Sequence, residues 1–247
     1  MNKYINLTYE NIDNEHICCA IGDPKHQCGV ASKKDWIKSK LKDGHVFRKL
    51  DARGKTFIEY EPLKTSWVPI SGGNYMYIYC LWVAGSFKGQ GIARELLSYA
   101  IDDAKKKKMD GICTLVSKKK KPFIGDKKFF EHFGFNVVDE AQDYQLVALR
   151  FNDGVLPKFN DCAKRMTIDD KIFTIYYSNE CPYVEYEIEE LSTYAKKKGI
   201  KVNFIKVDSL EKAKNVPCVF NNWANFYKGK FLSNTILNAN AFEKLIK

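Results

Sequence analysis

The spacing of hydrophobic and polar positions divides the chain into two successive series of strands and helices. In the first series, after an irregular stretch over 1–30, the pattern predicts helices over 33–44, 91–108 and 126–134, strands over 45–51, 55–61, 75–83 and 111–117, and a long strand or hairpin over 135–151. The helix over 91–108 is the clearest, because Ile92, Leu96 and Ile101 recur at spacings of three and four. This order indicates an α/β (α+β) unit with a mixed sheet.

A second series begins after residues 152–170, which we interpret as a linker. Its apolar runs predict strands over 171–178 and 202–209 and helices over 182–198 and 240–246. At roughly 100–200 residues per domain, a chain of 247 residues accommodates two domains better than one. We therefore predict one domain over 1–155 and a smaller α/β domain over 156–247.

The strand over 75–83 is rich in aromatic side chains. Because successive side chains of a strand point to opposite faces, strict alternation places the following residues on one face: Tyr75, Tyr77, Tyr79, Leu81 and Val83. Glu59 and Glu61, on the preceding strand, are the carboxylates nearest to this face along the chain.

Charge and composition narrow the possible classes of protein. The formal net charge is +10, and lysine contributes far more of it than arginine, whereas recognition of nucleic-acid bases usually relies on arginine. Nucleic acid is therefore disfavoured as a partner. No apolar run approaches the ~20 residues of a membrane helix, so no membrane partner is expected. Eight cysteines spread over the chain suit a reducing compartment, and we expect a cytoplasmic protein.

The stretch VAGSFKGQGIARELL, residues 83–97, joins the strand over 75–83 to the long helix through a glycine-rich turn. Such a turn lets the backbone approach a phosphate group, and the first N–H groups of the helix point at the anion. A Walker loop is absent, and the third glycine of a dinucleotide fingerprint is missing. The loop therefore predicts another phosphate-bearing ligand.

The same stretch resembles motif A of the GNAT superfamily of acyl-CoA N-acyltransferases, V-x-P-x-x-[QR]-x-x-G-x-[GA]. Gly85 replaces the proline of the motif, and Lys88 replaces Gln or Arg. The stretch FFEHFGF, ending at Phe135, is similar to the F-Y-x-x-x-G-F segment of the family. The order of the two series further resembles the bacterial YoaP-type N-acetyltransferases over nearly the whole chain.

The resemblance implies a GNAT fold and acetyl-CoA as co-substrate. It implies that the backbone of Leu81 and Val83 pairs with the pantetheine arm. The residues it implies for binding the pyrophosphate are Lys88, Gly89, Gln90, Gly91, Ile92 and Ala93. Lys118 to Lys121, Lys127 and Lys128 are candidates for the 3′-phosphate, although a solvated basic rim explains them as well.

The implied reaction moves an acetyl group to a primary amine of a small molecule or peptide. For the base that removes the ammonium proton, we favour Glu59 or Tyr79 acting through water. The family often places a tyrosine as acid on the helix before G-F, but this chain has Phe130 there. Either the thiolate leaves unprotonated, or another group such as Tyr144 acts, or the activity is weak.

The second series resembles the thioredoxin fold, in which C-P-Y-C opens the first helix. Here Cys181 and Pro182 match that motif, but Val184 stands where the second cysteine is expected. The segment around Pro217 resembles the cis-proline turn of that fold, with Cys218 beside it. The resemblance implies a thioredoxin-like domain used for substrate docking, for monothiol chemistry with a thiolate favoured at Cys181, or simply for packing.

Two alternatives to the transferase remain open at this point. One is a thiol-binding or redox protein whose GNAT half only binds acyl-CoA, and the other is a nucleic-acid-associated factor. A candidate zinc cluster lies near the amino terminus at His16, Cys18, Cys19, His26 and Cys28. It lacks the C-x-x-C spacing of zinc knuckles, and no metal is expected.

Overall fold

The structure is a computed structural model that describes residues 2–246, and in it the chain forms two compact units. Unit 1 comprises Met1–Ile21, Ile37–Ser66 and Ile70–Asn160, and unit 2 comprises Gly22–Trp36, Trp67–Pro69 and Asp161–Lys247. The division at Asn160 falls five residues after the boundary expected from the sequence. Unit 2 also includes two segments from the first part of the chain, which no sequence pattern indicated.

Unit 1 is built on a mixed sheet. Its strands are β1 Tyr4–Asn6, β2 Val46–Leu50, β3 Thr56–Pro62, β4 Ile70–Ser71, β5 Tyr75–Val83, β6 Gly111–Ser117, β7 Asn136–Ala141, β8 Tyr144–Arg150 and β9 Lys158–Phe159. The helices of this part of the chain are α1 Gln27–Leu41, of which only the last turn lies in unit 1, α2 Ile92–Lys106 and α3 Lys127–His132.

Seven of these strands form one sheet in the order β1-β2-β3-β5-β6-β8-β7. Only the central pair, β5 and β6, is parallel, because α2 connects them as a crossover helix. The predicted strands and helices from residue 45 to 150 are present, and 135–151 is a hairpin. The sequence pattern missed β1, whose three residues are too few to show a period, and β4 and β9, which pair with each other.

Helix α2 packs its apolar stripe on one face of the sheet. Leu96, Leu97 and Ala100 of the helix are fully buried against Ile58 and Ile78 of the central strands. The predicted stripe at spacings of three and four is therefore the core face, and it fixes where the helix begins relative to β5. Leu81 and Val83 also pack against this core.

A β-bulge in β5 overturns the expected alternation of its side chains. Glu59 of β3 pairs with Cys80 and Tyr60 pairs with Ile78, so Tyr79 is an additional residue on β5. One additional residue inverts the facing of everything beyond it. Tyr75, Tyr77 and Tyr79 thus lie on the face away from α2, whereas Leu81 and Val83 lie on the α2 face, contrary to the expectation of a single common face.

Unit 2 has its own sheet and core. Its strands are β10 Phe173–Tyr177, β11 Val202–Lys206, β12 Trp223–Tyr227 and β13 Lys230–Ser233, and its helices after residue 160 are α4 Asp161–Arg165, α5 Val184–Lys198, α6 Leu210–Lys214 and α7 Ala239–Ile246. The sheet order is β11-β10-β12-β13, with only β10 and β11 parallel. Phe173, Trp223 and Phe242 are central to the core. The predicted linker contains β9 and α4.

Candidate active site

The central sheet of unit 1 is open where β5 and β6 separate. The two strands pair only from Tyr75 with Gly111 to Ile78 with Thr114. Beyond that point β6 continues to pair with β8 as far as Ser117, while β5 continues to Val83 beside β3 alone. Among residues 2–246, no strand pairs with the β6 side of β5 from Tyr79 onward. The main chain of β5 therefore offers a free strand edge over residues 81–83.

The glycine-rich turn follows this free edge directly. Gly85, Gly89 and Gly91 have φ angles of +64°, +77° and +79°, which L side chains rarely adopt. A Cβ added at any of the three would meet no atom within 4 Å. The glycines thus serve the backbone conformation and leave the space in front of the turn open.

The turn delivers the chain to an uncapped helix terminus. Gly91 occupies the N-cap position of α2, and no side chain caps the helix there. The N–H groups of the first turn have no intrahelical acceptor, and with the helix dipole they attract an anion. Ile92 is buried and anchors the helix, while Lys88, Gly89 and Gln90 are exposed. All six residues predicted for pyrophosphate binding lie in this turn.

The carboxylate in the first turn of α2, that of Glu95, is hydrogen-bonded by side chains of the amino-terminal segment. Glu95 accepts hydrogen bonds from the Tyr4 hydroxyl at 2.6 Å and from the Asn2 amide at 3.1 Å. The hydrogen bond from Tyr4, followed by that from Asn2, lowers the pKa of Glu95. The negative charge of Glu95 is thereby held at the β1 side of the helix.

A buried histidine joins two carboxylates on the face of the sheet away from α2. The Nε2 atom of His45 lies 3.0 Å from Glu59 Oε1, and its Nδ1 atom lies 3.0 Å from Glu61 Oε2. Because an ionised carboxylate only accepts hydrogen bonds, both ring nitrogens must carry protons. Burial alone lowers the pKa of His45, but the hydrogen bonds to Glu59 and Glu61 outweigh it and raise the pKa above its ordinary 6.5.

The network extends from Glu61 to two further side chains. The Tyr79 hydroxyl donates to Glu61 Oε1 at 2.9 Å, and Lys40 Nζ lies 3.3 Å from the same oxygen. The bulge directs Tyr79 toward this face, since an additional residue re-aims its side chain. The predicted residues Glu59 and Tyr79 are thus brought into one network, although they reach each other through His45 and Glu61 rather than directly.

Sequence reasoning missed His45 and Lys40. The only signal for His45 is its register: Val46 pairs with Tyr60 and Phe47 with Glu59, which brings His45 next to Glu61 across the hairpin of β2 and β3. No periodicity in the sequence fixes that register. Lys40 lies on α1, remote along the chain from the strands, and no spacing pointed to it.

The position of the family tyrosine carries no proton donor in this chain. Phe130 is 3% exposed and packs against Phe129 and Phe135, with ring centroids 5.5 Å and 5.2 Å away. Tyr144, the other candidate acid, is also buried, and Lys121 Nζ lies 5.2 Å from its ring centroid. Both side chains are therefore part of the packed interior of unit 1.

Several of the rim lysines pair with carboxylates. Lys118 lies 2.7 Å from Glu140, Lys121 lies 3.3 Å from Asp143, and Lys127 lies 3.4 Å from Glu131. Lys119 and Lys120 are exposed. The unengaged positive charge near the end of β6 is therefore smaller than the run of lysines in the sequence implies.

The Cys181 segment of unit 2 forms a turn before α5. Val184 replaces the second cysteine and is fully buried in the core of unit 2. All peptide bonds among residues 2–246 are trans, so the expected cis bond before Pro217 is absent. Cys218 is buried, and burial raises the pKa of its thiol well above the ordinary value.

The turn at Cys181 and Pro182 lies close to α1. A Cβ on Gly29 of that helix would overlap the carbonyl oxygen of Pro182.

Both histidines of the candidate zinc cluster have other partners. His16 Nε2 lies 3.0 Å from the Ala52 carbonyl oxygen in unit 1, and His26 Nδ1 lies 2.9 Å from Asp23 Oδ2 in unit 2. Within residues 2–246, no group of three or more His, Cys, Asp or Glu side chains is arranged to hold a metal ion.

Two family models match the chain. The model described as the acetyltransferase (GNAT) family matches residues 12–135, and the one described as YoaP-like matches residues 202–244. A protein of Bacillus subtilis (strain 168), named uncharacterized N-acetyltransferase YoaP, is 42% identical over 245 residues, which is 98% of this chain and 98% of the relative. Neither match supports the alternative redox interpretation.

Solved structures of acetyltransferases are similar to part of the chain. A GNAT family acetyltransferase from Brucella melitensis in complex with acetyl-CoA has a TM-score of 0.41 and 12% identity, covering 65% of this chain and 94% of that one. A PaiA N-acetyltransferase from Thermoplasma acidophilum in complex with coenzyme A has a TM-score of 0.44 and 15% identity, covering 61% and 99%.

Over residues 2–246, none of the helices combines the length and the apolar character that crossing a bilayer requires.

The family match spans half of the chain, and the Bacillus relative aligns with almost all of it. The chain belongs to the GNAT family of acetyltransferases, whose co-substrate is acetyl-CoA.

Proposed function

We propose that the chain transfers an acetyl group from acetyl-CoA to a primary amine and that unit 1 carries the reaction. The observation that carries this proposal is the separation of β5 from β6 directly before an uncapped helix terminus. A pantetheine amide can add to a free strand edge as a further strand does. Acetyl-CoA supplies the activated acyl group as a thioester. The chain has to bind this thioester and remove a proton from the ammonium group of the acceptor.

The residues fit this co-substrate in two places. The main chain of Leu81 and Val83 lies on the free edge of β5 and is proposed to bind the pantetheine arm. The turn from Lys88 to Ala93 has open space in front of its glycines and is proposed to bind the diphosphate. The positive charge of Lys88 then stands in for the Gln or Arg of the family motif.

We propose Glu59 as the base, acting through water, with Tyr79 in its hydrogen-bond network. His45 holds Glu59 and Glu61 in fixed orientations, and Tyr79 donates to Glu61 on the strand that borders the split. The base takes a proton from the ammonium group, and the free amine then attacks the thioester carbon as the carbon–sulfur bond breaks. Because Phe130 has no hydroxyl, the leaving thiolate takes its proton from solvent or from the attacking amine.

A charge placed in the turn tests the proposal directly. Gly89→Glu adds an anion where the diphosphate is expected, and acetyl-CoA affinity should fall by at least about 100-fold, or roughly 2.7 kcal/mol. Isothermal calorimetry with acetyl-CoA measures the dissociation constant, and thiol release with a panel of amines measures transfer.

Gly199→Glu is the matched control. Gly199 also has a positive φ, +66°, and open space around it, but it ends α5 in unit 2. The same backbone strain and charge should leave acetyl-CoA affinity unchanged there. Equal losses in the two variants, or unaltered binding in Gly89→Glu, would contradict the assignment of the turn.

Small molecules and peptides that carry a primary amine remain the proposed acceptors. The eight cysteines, which form no disulfide among residues 2–246, support a reducing, cytoplasmic location. For unit 2 we infer a thioredoxin-like domain over 156–247. The support is its order of strand, helix, strand, hairpin and helix, together with the sheet order β11-β10-β12-β13. With Val184 in place of a second cysteine, dithiol exchange within the motif is absent from the proposal.

A further inference from the structure

Unit 2 contains a cavity of about 230 Å³ that the proposed transferase chemistry does not use. It lies at the carboxyl ends of the two parallel strands, where Asn179 follows β10 and Lys206 ends β11. The Val207 amide donates to the Tyr177 carbonyl oxygen at 2.7 Å, which holds the two strand ends together. In open sheets with parallel strands, ligands commonly bind outside the carboxyl ends of the strands.

The size of the cavity limits the ligand. Its volume equals that of about eight water molecules at ~30 Å³ each, and pockets for drug-sized ligands begin at roughly 300 Å³. The cavity opens to solvent, and this volume is the space between its walls. It fits a small metabolite of low molecular mass.

Two indole rings form the apolar part of the wall. Trp36 is 6% exposed and lies edge to face with Trp67, with ring centroids 6.1 Å apart and planes at 82°. Lys33 Nζ lies 4.5 Å from the centroid of the Trp36 ring and stabilises its position by a cation–π contact. Rigid aromatic walls of this kind favour an apolar side chain on the ligand.

The polar part of the wall carries two carboxylates, those of Asp35 and Asp208, and one ammonium, that of Lys206. Asp208 also lines the cavity, but Lys212 Nζ lies 2.8 Å from it and compensates its charge. The exposed carboxylate of Asp35 and the exposed ammonium of Lys206 have no ion-pair partner among residues 2–246. These two groups therefore remain available for a ligand that carries both an ammonium and a carboxylate.

We propose that this cavity binds a free amino acid with an apolar side chain. Asp35 binds the ammonium group, Lys206 binds the carboxylate, and the indoles of Trp36 and Trp67 enclose the side chain. This inference does not depend on acetyl transfer, because every group it uses lies in unit 2. It assigns a ligand class to the second unit that is distinct from the acyl donor.

Calorimetry of the full chain with L-leucine, without acetyl-CoA, tests the proposal. L-leucine should bind, and N-acetyl-L-leucine and L-leucinamide, which each lack one charge, should bind at least tenfold more weakly. Asp35→Asn should weaken L-leucine tenfold or more and leave N-acetyl-L-leucine unaffected. Lys206→Gln should do the same for L-leucine and leave L-leucinamide unaffected.

The controls are Asp169→Asn and Lys201→Gln, which remove charges of the same unit that do not line the cavity. Both should bind L-leucine as the unaltered chain does. The proposal is overturned if neither L-leucine nor L-phenylalanine binds at millimolar concentration, if the one-charge analogues bind equally well, or if the two control variants lose as much affinity as the two cavity variants.

Discussion

At the scale of single residues, His45 is the most constrained side chain of unit 1. It is fully buried and contacts two carboxylates that are themselves almost inaccessible, Glu59 at 3% and Glu61 at 0% exposure. Removing one partner of a buried ionic network leaves an uncompensated charge, which typically costs about 3–5 kcal/mol. His45 therefore supports both the stability of the sheet and the orientation of the proposed base.

His45→Gln should lower the free energy of unfolding by about 3–5 kcal/mol near pH 6. Because the pKa of His45 is raised above 6.5 in the folded chain, its contribution is complete below 6.5 and is lost as the pH rises through the folded-state pKa. The difference between the unaltered chain and the variant should therefore shrink as the pH rises above the raised pKa of His45. Urea unfolding at a series of pH values measures it.

His132→Gln is the control for that series, because His132 is an exposed histidine on α3. Its free energy of unfolding should follow that of the unaltered chain at every pH. A His45→Gln difference that stays constant or grows with rising pH would show that His45 is not the protonated centre of the network.

The sequence predicts the residues that obey a period and misses those that depend on register. Glu59 and Tyr79 were found from strand patterns, and both lie in the observed network. His45 was missed because its pairing with Glu61 requires the offset between β2 and β3, which the hairpin and its loop set together. A lone histidine at the start of a strand carries no sequence signal of its own.

At the scale of elements, the long helix and the strands from 45 to 150 were predictable because each has a clear period or apolar run. The bulge at Tyr79 was not predictable. Nothing in the sequence of the strand shows where its pairing with β3 shifts by one residue. The first part of α1 was also missed: the helix begins at Gln27, ahead of the predicted start at Lys33. Its first turns contain Gly29 and small residues such as Ala31 and Ser32, and they lack the spacing of large apolar residues that identified Trp36, Ile37 and Leu41.

Gly29→Ala tests how that first part of α1 is packed. In a helix interior the change normally stabilises by roughly 0.5–1 kcal/mol. Here the new Cβ would overlap the Pro182 carbonyl oxygen, a backbone atom that cannot move aside cheaply. We expect a net loss of about 1–2 kcal/mol, since overpacking typically costs about 1–3 kcal/mol. Thermal unfolding measures the sign.

Ala31→Gly, at an exposed position of the same helix, reports propensity alone and should cost roughly 0.5–1 kcal/mol. If Gly29→Ala raises the melting temperature while Ala31→Gly lowers it, helix propensity decides both results. The close approach of the helix to the Cys181–Pro182 turn would then not be a constraint.

At the scale of the whole molecule, the net charge of +10 favours binding of a polyanionic co-substrate. It does not indicate which lysines contact that co-substrate. The lysines near the end of β6 illustrate the difference. Lys118, Lys121 and Lys127 are paired with carboxylates, which leaves Lys119, Lys120 and the exposed Lys128 as the better candidates for the 3′-phosphate of acetyl-CoA.

The double variant Lys119→Gln/Lys120→Gln should reduce the preference for acetyl-CoA over its 3′-dephospho analogue. The expected change in the ratio of dissociation constants is about tenfold, or roughly 1.4 kcal/mol, because the analogue lacks the group these lysines would contact. Lys105→Gln/Lys106→Gln removes the same charge at the far end of α2 and should leave the ratio unchanged. Equal effects in both double variants would indicate long-range attraction only.

The additional residue in β5 makes the length of this strand more important than its composition. Substitution of Tyr79 by another large side chain keeps the inversion, whereas deletion of any one residue between Ile78 and Val83 restores plain alternation. Deletion of Tyr79 would leave Leu81 and Val83 facing α2, because the residue removed is the additional one, and Glu61 would lose the hydroxyl that donates to it. Relatives that are one residue shorter between the first tyrosine of the strand and the glycine turn should therefore keep the interior beneath α2 but bring one side chain fewer to the buried carboxylates.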